Sequence, residues 1–201
     1  MTVLDTSGGT AARPRVLLIG TGAIGAALLP GWVLWFRASS GWDCRVVLTE
    51  HAAQLVSTTA LAALSGHPVE QHHRSDGSVG HRELAEWADV VVVAPATANT
   101  VAKLAVGISD SLALSVVTYT RAPVVIVPSL PGPAAESLVH RRALEQLRAD
   151  GALVMGLHSG WSAQAAEVEI GGMPNVLEVE RFLADHGLPG QRAPRAEHDA
   201  C

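Results

Sequence analysis

"VLLIGTGAIGAALL", residues 16–29, decides the fold. Four apolar residues run directly into Gly20-Thr21-Gly22-Ala23-Ile24-Gly25, and a second apolar stretch follows. A short continuous apolar run reads as a parallel strand buried on both faces. The glycines after it permit a tight turn and a close backbone approach. The helix that follows offers N–H donors and a positive dipole end to a phosphate. Strand, G-x-G-x-x-G turn and helix together read as a phosphate-binding unit. The turn alone leaves the owner of that phosphate open. Glu50, at the end of the next expected strand, stands roughly where a dinucleotide fold keeps its ribose-binding acid, about 20 residues beyond the turn.

Outward from this unit, strands and helices alternate. Strands are expected at 15–19, 45–48, 89–94 and 124–127, with shorter ones at 69–71 and 152–156. Helices are expected at 24–36, kinked or split by Pro30-Gly31, and at 52–64, 81–88, 99–106, 111–119, 134–149 and 179–186. This repetition predicts an α/β fold, a three-layer doubly wound parallel sheet of Rossmann-like or flavodoxin-like form. Such sheets bind ligands at the carboxyl ends of their strands, which makes 20–25, 49–51, 95–100 and 128–133 the informative segments. Residues 1–13 and 188–201 are rich in Gly, Pro, Ala and charge and read as flexible tails around one domain, 14–187.

The 201 residues suffice for one α/β domain but not for a nucleotide domain with a full substrate domain beside it. Hydrophobic residues make up 48%, so a large interior or a buried oligomer face is expected. A net charge of −5 gives no reason to expect nucleic acid or an anionic membrane as partner. There is no signal-peptide pattern and no bilayer-length apolar run, and a cytoplasmic location is expected. Two cysteines, Cys44 and Cys201, make neither a disulfide framework nor a metal cage. His67, His72 and His73 crowd one loop without metal-site spacing on a regular element, so no metal is expected. A nicotinamide-dependent fold of this length carries a Tyr-x-x-x-Lys pair. Here the only tyrosine, Tyr119, is not followed by lysine, and the only lysine, Lys103, stands elsewhere.

Residues 81–112, "HRELAEWADVVVVAPATANTVAKLAVGISDSL", narrow the choice. An apolar strand ends in Pro95-Ala96-Thr97-Ala98-Asn99-Thr100. Lys103-Leu104-Ala105 follow, and then Gly107-Ile108-Ser109-Asp110-Ser111-Leu112. By residue type, Thr97, Asn99 and Thr100 put hydroxyls and an amide at a helix N-terminus. They serve there either as an ordinary cap or as contacts to phosphate, ribityl or ring atoms. The segment resembles the homo-oligomeric flavin-containing cysteine decarboxylases, whose strand ends in Pro-Ala-Ser-Ala-Asn-Thr before a Lys/Ala/Gly helix and a Gly-Ile-x-Asp-x-Leu. The resemblance covers roughly residues 14–130. It points most closely to the peptidyl-cysteine decarboxylases of lanthipeptide and related ribosomal-peptide pathways, with phosphopantothenoylcysteine decarboxylase as a relative.

The resemblance implies FMN as cofactor. Thr21, Gly22, Ala23 and Ile24 would line its phosphate, Thr49 would add a contact, and Thr97, Ala98, Asn99, Thr100 and Ser129 would meet the rest of the flavin. It implies His81, eight residues before Asp89, as catalytic base, and an imidazole suits thiol deprotonation near neutral pH. The implied reaction oxidises a C-terminal cysteine of a peptide and releases CO₂ and an enethiol. The implied assembly is a homo-oligomer, a trimer or a dodecamer of trimers, because the family's sites lie between subunits. A tailoring enzyme is a fitting partner.

Two departures bear on the substrate. The family's Pro-Ala-Met-Asn, whose asparagine holds the substrate carboxylate, aligns with Pro128-Ser129-Leu130-Pro131, and proline has no amide side chain to offer. Candidates to replace it are the backbone around Pro131 and Gly132, Arg121, His140 and Arg141. Trp161, where the family's mobile clamp lies, is a candidate peptide contact. The Cys-Gly-Asp of phosphopantothenoylcysteine decarboxylase has no counterpart after Val154, so the reducing half of that reaction should be absent. Two rival readings stay open: a flavin-fold subunit that needs a partner chain, and an NAD(P)-binding protein. Trp32, Trp35, Phe36 and Trp42 read as core or subunit contact, and Trp87 as helix–sheet packing.

Overall fold

The computed structural model describes residues 12–73, 80–130, 132–162 and 167–189, with the backbone alone for 160–162, 167 and 169. Its five-stranded parallel sheet comprises β1 (Arg15–Gly20), β2 (Asp43–Leu48), β3 (Val90–Thr97), β4 (Val124–Ser129) and β5 (Leu153–Val154) in the order β2-β1-β3-β4-β5. The 3-10 turn Ile24–Leu28 leads into α1 (Leu29–Ala38), and α2 (Glu50–Ala53) and α3 (Thr58–Ser65) follow β2. Next come α4 (Gly80–Trp87), α5 (Ala98–Ala105), α6 (Leu112–Tyr119), α7 (Pro133–Glu136) and α8 (Leu138–Ala149). An antiparallel hairpin of β6 (His158–Ser162) and β7 (Glu167–Gly172) precedes α9 (Val176–Asp185).

The middles of the strands are apolar because both faces are covered, while charged residues stand at the amino ends of β1 and β2. Leu17 and Ile19 of β1 pack with α4, α5, α6 and α8, while Val16 and Leu18 pack with α1, α3 and α9. Each such fully buried side chain contributes about 1.5–3 kcal/mol of transfer free energy. Trp32 and Phe36 belong to the second layer, and Phe36 stacks on Trp42 at 5.1 Å between ring centroids.

Local chemistry sets the helix ends. Pro30 falls in the first turn of α1, where a missing N–H costs nothing, and the chain before it is 3-10 rather than α. The helix expected at 52–64 is two helices. Thr49 caps α2 and Ser57 caps α3, which ends at Gly66 in the left-handed region (φ 71°). The helix expected at 134–149 likewise breaks at Ser137 into α7 and α8. The strand expected at 69–71 is reduced to one bridge, Val47 to Glu70. The hairpin β6–β7 was not among the expected elements.

Strand order and helix placement create the site. After β1 the chain crosses to the α1 face, whereas after the adjacent β3 it crosses to the α5 face. Neighbouring strands whose connections leave in opposite directions open a crevice at their carboxyl ends, the switch point of a doubly wound sheet.

Candidate functional site

The crevice floor is held by hydroxyl groups. Thr21, 1% exposed, donates from Oγ1 to the Pro95 carbonyl (2.6 Å) and accepts from the Thr97 N–H (3.0 Å). Thr97 caps α5: its Oγ1 accepts from the Thr100 N–H (3.3 Å) and lies 3.0 Å from Thr100 Oγ1. Thr49 caps α2 by accepting from the Ala52 N–H (3.4 Å), and its own N–H donates to the Gly20 carbonyl (3.0 Å). The ends of β1, β2 and β3 are thereby tied to one another. These hydroxyls serve the protein, and Thr21 and Thr100 are buried. The surface left open to a ligand is the backbone of Gly22, Ala23 and Ile24, the exposed Asn99, the half-exposed Ala98, and Ser129, which pairs with Thr97 in the β3–β4 register. The Ala23 N–H is taken by the Thr21 carbonyl (2.7 Å). Gly22 and Ile24 stand where the first N–H groups of a helical turn have no acceptor within it.

Close packing accounts for the glycine pattern. A Cβ at Gly20 would lie 2.6 Å from Leu29 Cδ1 and 2.7 Å from Leu48 Cδ2. One at Gly22 would lie 2.6 Å from His51 Cβ, and one at Gly25 would lie 3.0 Å from Met173 Cβ. His51, within the informative segment 49–51 but given no role by sequence, thus rests directly on the turn.

His81 lies in the first turn of α4, and its described ring contacts are with residues outside these loops. It is half-buried on α4, which packs on α6, and its ring meets His73 (5.6 Å, 84°) and Tyr119 (5.7 Å, 82°) edge to face. The Arg82 guanidinium lies 6.0 Å from the Tyr119 ring centroid. None of these neighbours belongs to the crevice.

The structure also sorts the carboxylate candidates. Arg121 precedes β4 and so lies at the amino end of that strand, opposite Ser129 at its carboxyl end. Gly132 has a positive φ (42°), and its N–H donates to the Ile170 carbonyl of the hairpin (3.3 Å). His140 Nδ1 lies 3.0 Å from the Ala134 carbonyl, a bond that requires the proton on Nδ1. Arg141 is exposed in the first turn of α8. Pro131 lies outside the described residues, and so does the side chain of Trp161, whose backbone pairs with Val168. Cys44 is fully buried in β2, and burial, reinforced by Asp43, pushes its thiol up to about 12. Among the described residues no group of three His, Cys, Asp or Glu is arranged to hold a metal, and no helix is long and apolar enough to cross a membrane.

This donor set is made of backbone N–H, amide and hydroxyl groups beside small side chains, on a floor fixed in advance. It suits a flat ring system with a phosphorylated tail. A protein-family model described as Flavoprotein matches residues 5–186. The chain belongs to the Flavoprotein family. Within that family it is 32% identical over 181 residues to the coenzyme A biosynthesis bifunctional protein CoaBC of Escherichia coli (strain K12). That match covers 89% of this chain and 44% of CoaBC, so the flavoprotein chain spans less than half the length of this curated relative. Among solved structures it is similar to the FMN-dependent cysteine decarboxylase SpaF (27% identity, 88% of this chain and 99% of SpaF, TM-score 0.73). It is also similar to TvaF, an FMN-dependent cysteine decarboxylase from thioviridamide biosynthesis (30% identity, 72% of this chain and 90% of TvaF, TM-score 0.68).

Proposed function

We propose that this flavoprotein is an FMN-dependent decarboxylase that acts on the C-terminal cysteine of a ribosomally made peptide and releases an enethiol. The observation that carries the reading is the β1/β3 crevice, floored by the Thr21–Pro95–Thr97 tie and open at Gly22, Ile24, Asn99 and Ser129. In this reading the turn at 21–24 holds the FMN phosphate through its backbone. Thr49 closes one side, and Ala98, Asn99 and Ser129 line the ring. Thr21, Thr97 and Thr100 keep the loops in place.

When bound, FMN would supply the hydride acceptor needed to oxidise the thiol-bearing carbon of the substrate to a thioaldehyde. His81 takes the thiol proton in that step. Because the C=S group is attached to the carbon bearing the carboxylate, the electron pair of the breaking C–C bond would form the new C=C as CO₂ leaves, and the C=S π pair would move to sulfur. The sulfur then takes a proton, which His81 can return. His81 reaches this chemistry from a neighbouring copy in a homo-oligomer, a trimer or a dodecamer of trimers, because its own-chain neighbours are His73 and Tyr119.

A peptide is favoured over a coenzyme A precursor because re-reduction of the product needs a thiol. The hairpin at 158–172 has no cysteine, and the Cys44 thiol is buried with its pKa at about 12. The identity to CoaBC over 89% of this chain supports the second reading, decarboxylation of a cysteinyl conjugate in coenzyme A biosynthesis. Incubating the FMN-loaded protein with a Cys-terminated peptide and, separately, with phosphopantothenoylcysteine decides between them. Mass loss of CO₂ and two hydrogens from the peptide is the expected result. Turnover of the conjugate alone sinks the peptide reading, and a colourless protein that refuses FMN sinks both.

A further inference from the structure

We infer that His51 is a phosphate-recognising residue of the crevice, the side chain by which this chain tells FMN from a flavin without phosphate. The inference rests on reading the turn at 21–24 as the phosphate site, and it adds a residue that neither the sequence motif nor that reading assigns.

Contact comes first. His51 is the second residue of α2, and the start of this helix is locked to the turn by the Thr49 N–H donating to the Gly20 carbonyl (3.0 Å). A Cβ placed on Gly22 would lie 2.6 Å from His51 Cβ and 3.6 Å from its Cγ. The imidazole therefore springs from a point in contact with the middle of the turn. It is exposed, and among the described residues no hydrogen bond or ion pair occupies its ring.

Charge supplies the second argument. The loops at the carboxyl ends of β1 to β4, residues 20–28, 49–57, 95–102 and 128–137, contain no lysine or arginine. Their carboxylates are Glu50 and Glu136, both exposed, and His51 is their single side chain able to carry positive charge. A phosphate dianion at the turn would otherwise meet only backbone N–H groups, with Glu50 beside it. An imidazole donates a hydrogen bond in either neutral tautomer and a charge-assisted one when protonated.

The test measures flavin affinity, not turnover. Apoprotein is titrated with FMN and with riboflavin, read by quenching of flavin fluorescence, for the wild type, His51→Ala and His51→Gln. Wild type is expected to prefer FMN. His51→Ala should weaken FMN by about tenfold, the size of one charge-assisted hydrogen bond, and leave riboflavin unchanged. His51→Gln, which keeps a neutral donor, should recover part of the loss. Since His51 is exposed, both variants should unfold at the wild-type temperature. If FMN and riboflavin weaken together, His51 merely packs on Gly22 and the inference is wrong. It is equally wrong if both variants keep the full preference for FMN. Wild-type protein that binds riboflavin as tightly as FMN removes the phosphate reading of the turn itself, a failure told apart from that of His51 because it shows before any substitution.

Discussion

The two ends of the central sheet are built from opposite chemistry. At the amino end, charges meet one another. Asp89 accepts from the Arg15 backbone N–H (2.9 Å) and its guanidinium (3.4 Å), Arg45 pairs with Glu83 (3.1 Å), and His67 Nε2 lies 2.8 Å from Asp43. The Trp87 ring centroid lies 5.5 Å from the Arg15 guanidinium carbon and 4.8 Å from that of Arg45. Among the described residues the Nε atoms of both arginines are buried with no hydrogen-bond partner, and both guanidinium groups lie within cation–π range of the indole. At the carboxyl end, hydroxyls and backbone groups tie the loops, and the four loops contain no Lys or Arg. One end spends its charge on closing the molecule. The other leaves the backbone of Gly22 and Ile24 and the small side chains of Ala98 and Ser129 open at the crevice.

This contrast can be broken or sharpened by substitution. His81→Asn should retain bound flavin and lose CO₂ release by about 10²–10⁴-fold, the usual worth of a positioned base. Normal turnover in a peptide decarboxylation assay would remove His81 from the chemistry. Trp87→Ala should cost about 3 kcal/mol in urea unfolding and leave the FMN dissociation constant unchanged. A loss of FMN affinity at unchanged stability would reverse the assignment of the two ends. Thr21→Val strands the Pro95 carbonyl and the Thr97 N–H in a buried place. It should cost about 1–3 kcal/mol and weaken FMN, with both restored in Thr21→Ser.

The smallest effect is alkaline. The unfolded Cys44 thiol ionises near 9.0 and the folded one near 12, so the fold favours the protonated form. Its contribution is complete below pH 9 and declines as pH rises through that window. Denaturant curves at stepped alkaline pH should show this slope in the wild type and not in Cys44→Ala. Native protein near neutral pH should also leave Cys44 unalkylated.

Much of the fold was legible because the core strands are continuous runs of Val, Leu and Ile, a pattern with no good alternative in a chain this short. The βα alternation then implied the switch-point crevice and the loops around it. The broken helices were less legible. Ser57 and Ser137 sit inside windows that read as helical, and whether a serine caps or merely rides on a helix depends on the tertiary path of the chain. The hairpin was missed because β6 is short and mixed in composition. It is tied to the loop after β4 by the Gly132 N–H donating to the Ile170 carbonyl, while Val168 and Ile170 stay exposed. In the candidate site, residue types located the loops but not the direction of each hydroxyl. Thr21 and Thr97 carry the right chemistry for a ligand and turn it toward each other. His51 falls in the informative segment 49–51, where its one distinguishing signal in sequence is that it is the single basic side chain in the four loops.

The bond from Thr21 across to Pro95 and Thr97 has a consequence for how the protein acquires its ligand. The two lips of the crevice are latched before anything enters, so loading should resemble a coin dropping into a slot. Flavin uptake by the empty protein should follow a single fast phase, with an observed rate proportional to ligand concentration and no slow rearrangement behind it.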